Sequence, residues 1–223
     1  MTDHNDKPKR IAFFGGSFDP PHRGHLAIAN ALLEEFALDR FVFIPAMRAP
    51  HKMRSQPTSA YDRYAMLCLA TNDEPRITVS RMEIEAPERP FSVETLSRLT
   101  AEMPSDELFF VMGADSWMDI TSWREWEKVL SLVCHIVVTR PGSPIDVSHV
   151  TDEIRERIID LRGGGSVSNQ TSSSRGSIFL TDAVELDISA SDIRRQVREG
   201  DREWRDRVTD EVAIYIEKYQ IYN

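Results

Sequence analysis

The segment Gly15-Gly16-Ser17-Phe18-Asp19-Pro20-Pro21-His22-Arg23-Gly24-His25 concentrates residue types that handle phosphate. Gly15 and Gly16 carry no side chains, so a nucleotide can approach their backbone closely. His22 and His25 stand three apart. One helical turn puts such a pair on one side, so both imidazoles can face one phosphate chain. A lone glycine pair is ordinarily a turn, and a lone histidine ordinarily a cap. The combination, directly behind a strand and ahead of a helix, is what marks a site.

A second segment, Ile188-Ser189-Ala190-Ser191-Asp192-Ile193-Arg194, opens a helix far along the chain. Ser189 or Ser191 can cap that helix, whose free N–H groups attract anions. Arg194, one turn in, can set its guanidinium beside the same anion. An ordinary capped helix with an exposed arginine is the plainer reading of this segment alone.

The elements around these segments alternate. Residues 11–14, 41–44, 77–80, 108–112 and 135–139 read as strands, each a continuous apolar run. Leu26, Ala29, Leu33 and Phe36 form one face of a helix. Ser59 can cap a helix reaching about Thr71, residues 92–100 read as another, and 117–130 form a Trp-rich helical region. Short strands at 178–180 and 184–186 precede a helix from Ser189 to Gly200. A last helix carries Val208, Val212, Tyr215 and Tyr219 on one face. Strand–helix alternation with unbroken apolar strands implies an α/β fold: a doubly wound, Rossmann-like parallel sheet, helices on both faces, and a C-terminal helical segment. Residues 163–176, rich in glycine and serine, predict a surface loop inside one domain spanning 1–223. The polar residues 1–9 are expected to be disordered.

Composition narrows the classes. The 223 residues include 41% apolar ones and a net charge of −9. The acidity argues against a nucleic-acid coat but not against a small anionic substrate, which needs only local cations and N–H groups. No run approaches the about 20 apolar residues of a membrane span, and none reads as a signal peptide, so the expected setting is cytoplasmic. Cys68 and Cys134 lie in apolar runs and read as reduced, buried hydrophobes. No Cys/His spacing suggests a metal site.

Residues 15–25 resemble the signature of the HxGH nucleotidylyltransferase superfamily. The resemblance implies that His22 and His25 stabilise the triphosphate of ATP during adenylyl transfer, with Gly15, Gly16, Ser17, Phe18, Asp19 and Gly24 forming the surrounding nucleotide site. Residues 188–194 resemble the family's second signature, which implies that Ser189, Ser191, Ile193 and Arg194 bind the ATP phosphates. Ala190 stands where the family has a hydroxyl and is left out of the site. From Arg10 onward the chain is similar to the bacterial nicotinate-mononucleotide adenylyltransferase branch. That similarity makes Lys52 a phosphate contact. It lets Ser92, in Pro90-Phe91-Ser92-Val93-Glu94-Thr95-Leu96, offer a backbone N–H to a nicotinate carboxylate. It sets Asp115, in Gly113-Ala114-Asp115, on ribose hydroxyls. It stacks Trp123 on the pyridine ring, as an indole face suits an electron-poor ring. Trp117 and Trp126 read instead as core. Arg140, ending the fifth strand, is assigned to the adenine or phosphate side.

The implied reaction joins ATP and nicotinate mononucleotide into deamido-NAD and pyrophosphate, with Mg²⁺ on the triphosphate. The acceptor phosphate is already ionised at pH 7 and needs no base. Catalysis is then positioning and charge stabilisation for direct in-line attack. Transfer to nicotinamide mononucleotide or to phosphopantetheine, and a non-catalytic nucleotide sensor, are the competing readings. Nothing in the sequence decides the oligomeric state.

Overall fold

A computed structural model describes residues 7–47, 58–139, 145–165, 175–182, 184 and 188–222. Seven strands form one sheet: β1 (Arg10–Gly16), β2 (Arg40–Pro45), β3 (Ile77–Val79), β4 (Glu107–Gly113), β5 (Cys134–Val138), β6 (Ile158–Asp160) and β7 (Ile178–Thr181). Their order is β3-β2-β1-β4-β5-β7-β6. Every pairing is parallel.

Side chains along the central strands alternate between two cores. Ile11, Phe13, Val42, Ile44, Leu108, Phe110 and Met112 enter one. Ala12, Phe14, Phe41, Phe43, Phe109 and Val111 enter the other. Both faces are therefore covered, which is why the strands read as unbroken apolar runs rather than alternating ones. Helices α1 (Arg23–Glu35) and α2 (Ala60–Ala70) cover the second core. Four helices cover the first: α3 (Ser92–Glu102), α4 (Ala114–Met118), α5 (Trp126–Leu132) and α6 (Asp152–Arg155). Helices α7 (Ala190–Glu199) and α8 (Asp210–Lys218) build a third cluster with Met66 of α2, around Trp204, Val208 and Ile216. Among the described residues no helix is long and apolar enough to cross a membrane.

The expected elements recur with three corrections. The region 117–130 is not one helix: α4, a 3-10 turn at Ile120–Ser122 and α5 are separated, and Glu125 adopts φ 51 just before α5. Fully buried Trp117, whose Nε1 donates to Asp146 O at 2.9 Å, anchors the first piece, and Val129 and Leu130 anchor the last. The final helix begins later than its apolar stripe implied, because Thr209 caps it and accepts from Val212 N. Its buried face is Val212, Ala213 and Ile216; Val208 precedes it and Tyr219 ends it, exposed. Edge strand β6 and helix α6 had no reading in the sequence. A strand at 184–186 falls mainly outside the described residues, as does most of the loop at 163–176.

Candidate active site

The chain runs outward in opposite directions from β1 and β4, through β2 and β3 on one side and β5 on the other. Such a reversal opens a crevice beyond the carboxyl ends of the two central strands. Gly15-Gly16 and Gly113 end those two strands. The chain enters α1 at Arg23, through the turn 17–22 that follows the glycine pair, and α4 directly after Gly113.

Local packing explains the residues of the turn. A Cβ on Gly16 would lie 2.8 Å from the Phe18 ring, so the glycine is where that ring rests. Phe18 is buried with φ 49, and its ring meets Phe14, His25 and Phe43 edge-on. A Cβ on Gly24 would lie 3.1 Å from Nδ1 of His22 and 3.2 Å from its Cε1. The glycine between the histidines thus leaves room for the first imidazole to lie back over the helix start.

The two imidazoles do converge, though not as two helical residues. His22 is the N-cap of α1, in extended conformation, and only His25 is helical. Their rings stack at 3.7 Å. His22 N donates to Nδ1 of His25 at 3.2 Å, which assigns the His25 proton to Nε2. Burial pushes the His22 imidazole down to about 4, opposed weakly by its own backbone. Burial, and then the neighbouring His22, hold His25 well below its usual range. Both rings are neutral at pH 7 in this state, so they can offer hydrogen bonds but no fixed charge. The buried Nδ1 of His22 lacks a hydrogen-bond partner among the described residues, an atom an incoming polar group can satisfy.

Fixed positive charge comes from Arg194. Its Nη1 donates to Asp19 O at 2.5 Å and lies 4.0 Å from Asp19 Oδ2; its Nη2 donates to Ser191 Oγ at 3.0 Å. Ser189 caps α7, its hydroxyl accepting from Asp192 N. The two signatures therefore meet in space, through Asp19. Ile193 has its side chain fully buried in the third cluster, and its N–H bonds Ser189 O within α7.

Of the residues assigned to an acceptor, Ser92, Asp115 and Trp123 lie on the neighbouring elements. Phe110 of β4 bridges to them: its Cζ is 3.3 Å from where a Gly15 Cβ would sit, and its ring meets half-buried Trp123 edge-on at 6.4 Å. Trp117 is core, and Trp126 packs against the same core, as the sequence suggested. Asp115 is exposed in the first turn of α4. Ser92 is the first residue of α3, where helix N–H groups lack internal partners. Phe91 before it lies under the Arg124 guanidinium at 4.8 Å. Lys52 and Arg140 lie outside the described residues.

Two residues had no place in the sequence reading. Arg63, 1% exposed, donates to Ser17 O at 2.5 Å, Ala46 O at 2.6 Å and Thr58 O at 3.2 Å. It ties the first turn, the end of β2 and the start of α2 together. Its signal was an arginine on the apolar face of α2, beside Met66 and Leu67. Tyr222 donates its hydroxyl to Asp19 Oδ1 at 2.8 Å; no pattern in the sequence links the two.

A model of the cytidylyltransferase-like family matches residues 13–196. The chain is 37% identical, over 213 residues, to a probable nicotinate-nucleotide adenylyltransferase of Thermus thermophilus, covering 96% of this chain and 99% of the relative. It is 38% identical over 214 residues to a protein of the same name from Citrifermentans bemidjiense, covering 96% and 98%. The solved structure of Plasmodium falciparum nicotinic acid mononucleotide adenylyltransferase complexed with NaAD shares the fold. Its TM-score is 0.73 at 20% identity, covering 96% of this chain and 97% of that one. The chain belongs to the cytidylyltransferase-like family, in its nicotinate-nucleotide adenylyltransferase branch.

Proposed function

We propose that this chain transfers the adenylyl group of ATP to nicotinate mononucleotide, giving deamido-NAD and pyrophosphate. The observation that carries the chemistry is the convergence of His22, His25 and Arg194 beyond β1, at the start of α1. His25 Nε2–H and the His22 ring donate hydrogen bonds to the triphosphate. Arg194 and the N-termini of α1 and α7 supply positive potential. Ser17 and Asp19 shape the turn around it, and Ser189 and Ser191 hold the facing helix. The acceptor phosphate attacks the α-phosphorus in line, and pyrophosphate leaves. Positioning and charge stabilisation carry the rate. Magnesium arrives with ATP, held by its phosphates; among the described residues no three of His, Cys, Asp or Glu are grouped to cage an ion.

For the acceptor, the names of the relatives and the wall of Phe110 and Trp123 beside Gly15 favour a pyridine nucleotide. Trp123 stacks on the pyridine, Ser92 N–H receives its carboxylate and Asp115 takes the ribose hydroxyls. Lys52 and Arg140 are assigned to phosphate and to the adenine side. The whole chain works as one domain in a cytoplasmic setting, where Cys68 and Cys134 stay reduced thiols. Pyrophosphate release from ATP, measured with nicotinate mononucleotide, nicotinamide mononucleotide and phosphopantetheine in turn, tests the assignment. Preference for nicotinate mononucleotide is expected. Preference for either other acceptor overturns the substrate, and no release with any of them overturns the enzyme.

A further inference from the structure

Asp19 is a buried carboxylate between three groups. Tyr222 donates to its Oδ1 at 2.8 Å. Arg194 approaches Oδ2 only to 4.0 Å while making its short bond to the backbone carbonyl of the same residue. The Arg63 guanidinium stands close enough to feel its charge, though its own hydrogen bonds go to backbone carbonyls. A carboxylate between two guanidiniums would ordinarily close on one of them as a bidentate pair. This one does not.

The tyrosine side of the contact is built at some cost. Gln220 and Tyr222 both adopt left-handed backbone, with φ 52 and 76, just beyond α8. Side chains other than glycine hold that conformation only where their surroundings enforce it. The phenol is half-buried, and burial together with Asp19 pushes its pKa up, so it donates to Asp19. Phe18, next to Asp19, is likewise left-handed. The contact joins the segment after α8 to the phosphate turn, across most of the chain's length.

We propose that Tyr222 is a positioning residue for the ATP site: its hydroxyl holds the Asp19 carboxylate off Arg194, leaving that guanidinium aimed but not neutralised. Without the hydroxyl, Asp19 rotates onto Arg194, and the charge meant for the triphosphate is spent inside the protein. Tyr222 touches no reacting atom; it acts through Asp19 on Arg194. The inference rests on the reading of Arg194 as a phosphate ligand.

The test is a double-mutant cycle with two readouts. Tyr222→Phe removes one oxygen. Its binding of α,β-methylene-ATP, which needs no acceptor, should weaken about tenfold, and kcat/KM for ATP should fall alike. KM for nicotinate mononucleotide should stay within about twofold. In an Arg194→Ala background the same change should add less than about twofold, since the group it serves is gone. Combined with Asp19→Asn, which removes the carboxylate that would close on Arg194, Tyr222→Phe should likewise add less than about twofold. A Tyr222→Phe protein that binds the analogue as the parent does overturns the inference. So does an equal, additive loss with and without Arg194, and so does failure of the variant to fold, which would make the contact purely structural. If the parent shows no transfer to nicotinate mononucleotide yet Tyr222→Phe weakens analogue binding through Arg194, the inference stands and the proposed acceptor falls.

Discussion

The imidazole rings of His22 and His25 stack with their centroids 3.7 Å apart and their planes 21° from parallel, while the backbone N–H of the first feeds Nδ1 of the second. Two protonated rings would repel at that distance, and burial already disfavours charge. The pair is therefore predicted to stay neutral in the free protein. Its ring C–H resonances should not titrate between about pH 8 and pH 6, the range in which a free imidazole takes its proton. A midpoint near pH 6.5 for either ring would show that burial does not hold the pair neutral. Addition of ATP, with its negative charge, should move the midpoints upward.

Gly24 is predicted to be irreplaceable for catalysis and replaceable for folding. An alanine Cβ there would stand 3.1 Å from the His22 ring, tight enough to push the imidazole aside. The helix itself favours alanine over glycine by about 1 kcal/mol. Gly24→Ala should thus keep or raise thermal stability while kcat falls at least about tenfold, since a small misplacement of a donor is costly. Undiminished turnover would show that the His22 position is not critical.

Trp123 is half-buried against Phe110, which in turn abuts Gly15. A ring that stacks on the pyridine in both the ground and transition states contributes uniform binding. Trp123→Ala should raise KM for nicotinate mononucleotide about tenfold or more with kcat little changed. Unchanged KM, measured beside an unchanged KM for ATP, would remove the tryptophan from the acceptor site.

Much of this site could be read from residue order, because glycine, histidine and strand patterns act locally. The strands, the N-cap at Ser59, the glycine stop at Gly200 and the Trp117 core position all follow from periodicity and capping. What escaped depends on contacts distant in the chain. The break of 117–130 comes from a left-handed residue at Glu125 that no composition signal marks. Ile193 fits a binding motif by position, yet the cluster around Trp204 claims its side chain. Arg63 and Tyr222 reach the turn across 46 and 203 residues, and periodicity carries no information at that range.

Arg63 makes the next prediction. Its guanidinium satisfies backbone carbonyls of Ser17, Ala46 and Thr58 in a site that excludes water. Arg63→Met keeps the stem and leaves those acceptors unpaired, each loss costing about 1–3 kcal/mol. The urea midpoint should drop by an amount equivalent to at least about 3 kcal/mol, and transfer should fall with it, as the turn loosens. A stable, fully active methionine variant would show that the three segments are held by other means.

His135 makes the last. Its ring is fully buried in β5, 6.0 Å from the Phe110 ring. Burial pushes it down to about 3; the Val133 backbone opposes this and the Arg157 charge adds to it. The unfolded chain takes a proton on this imidazole below about pH 6.5. The folded ring stays neutral until much lower pH, so the unfolded state binds more protons in between. Stability due to this residue is thus complete above that value and declines as acid is added, by about 1.4 kcal/mol per pH unit within the window. His22 and His25 contribute with the same sign. His135→Phe, which cannot titrate, should flatten the acid limb of stability by about that slope when urea unfolding is followed at pH 7, 6 and 5. Parallel curves for the two proteins would mean that His135 takes its proton as readily folded as unfolded.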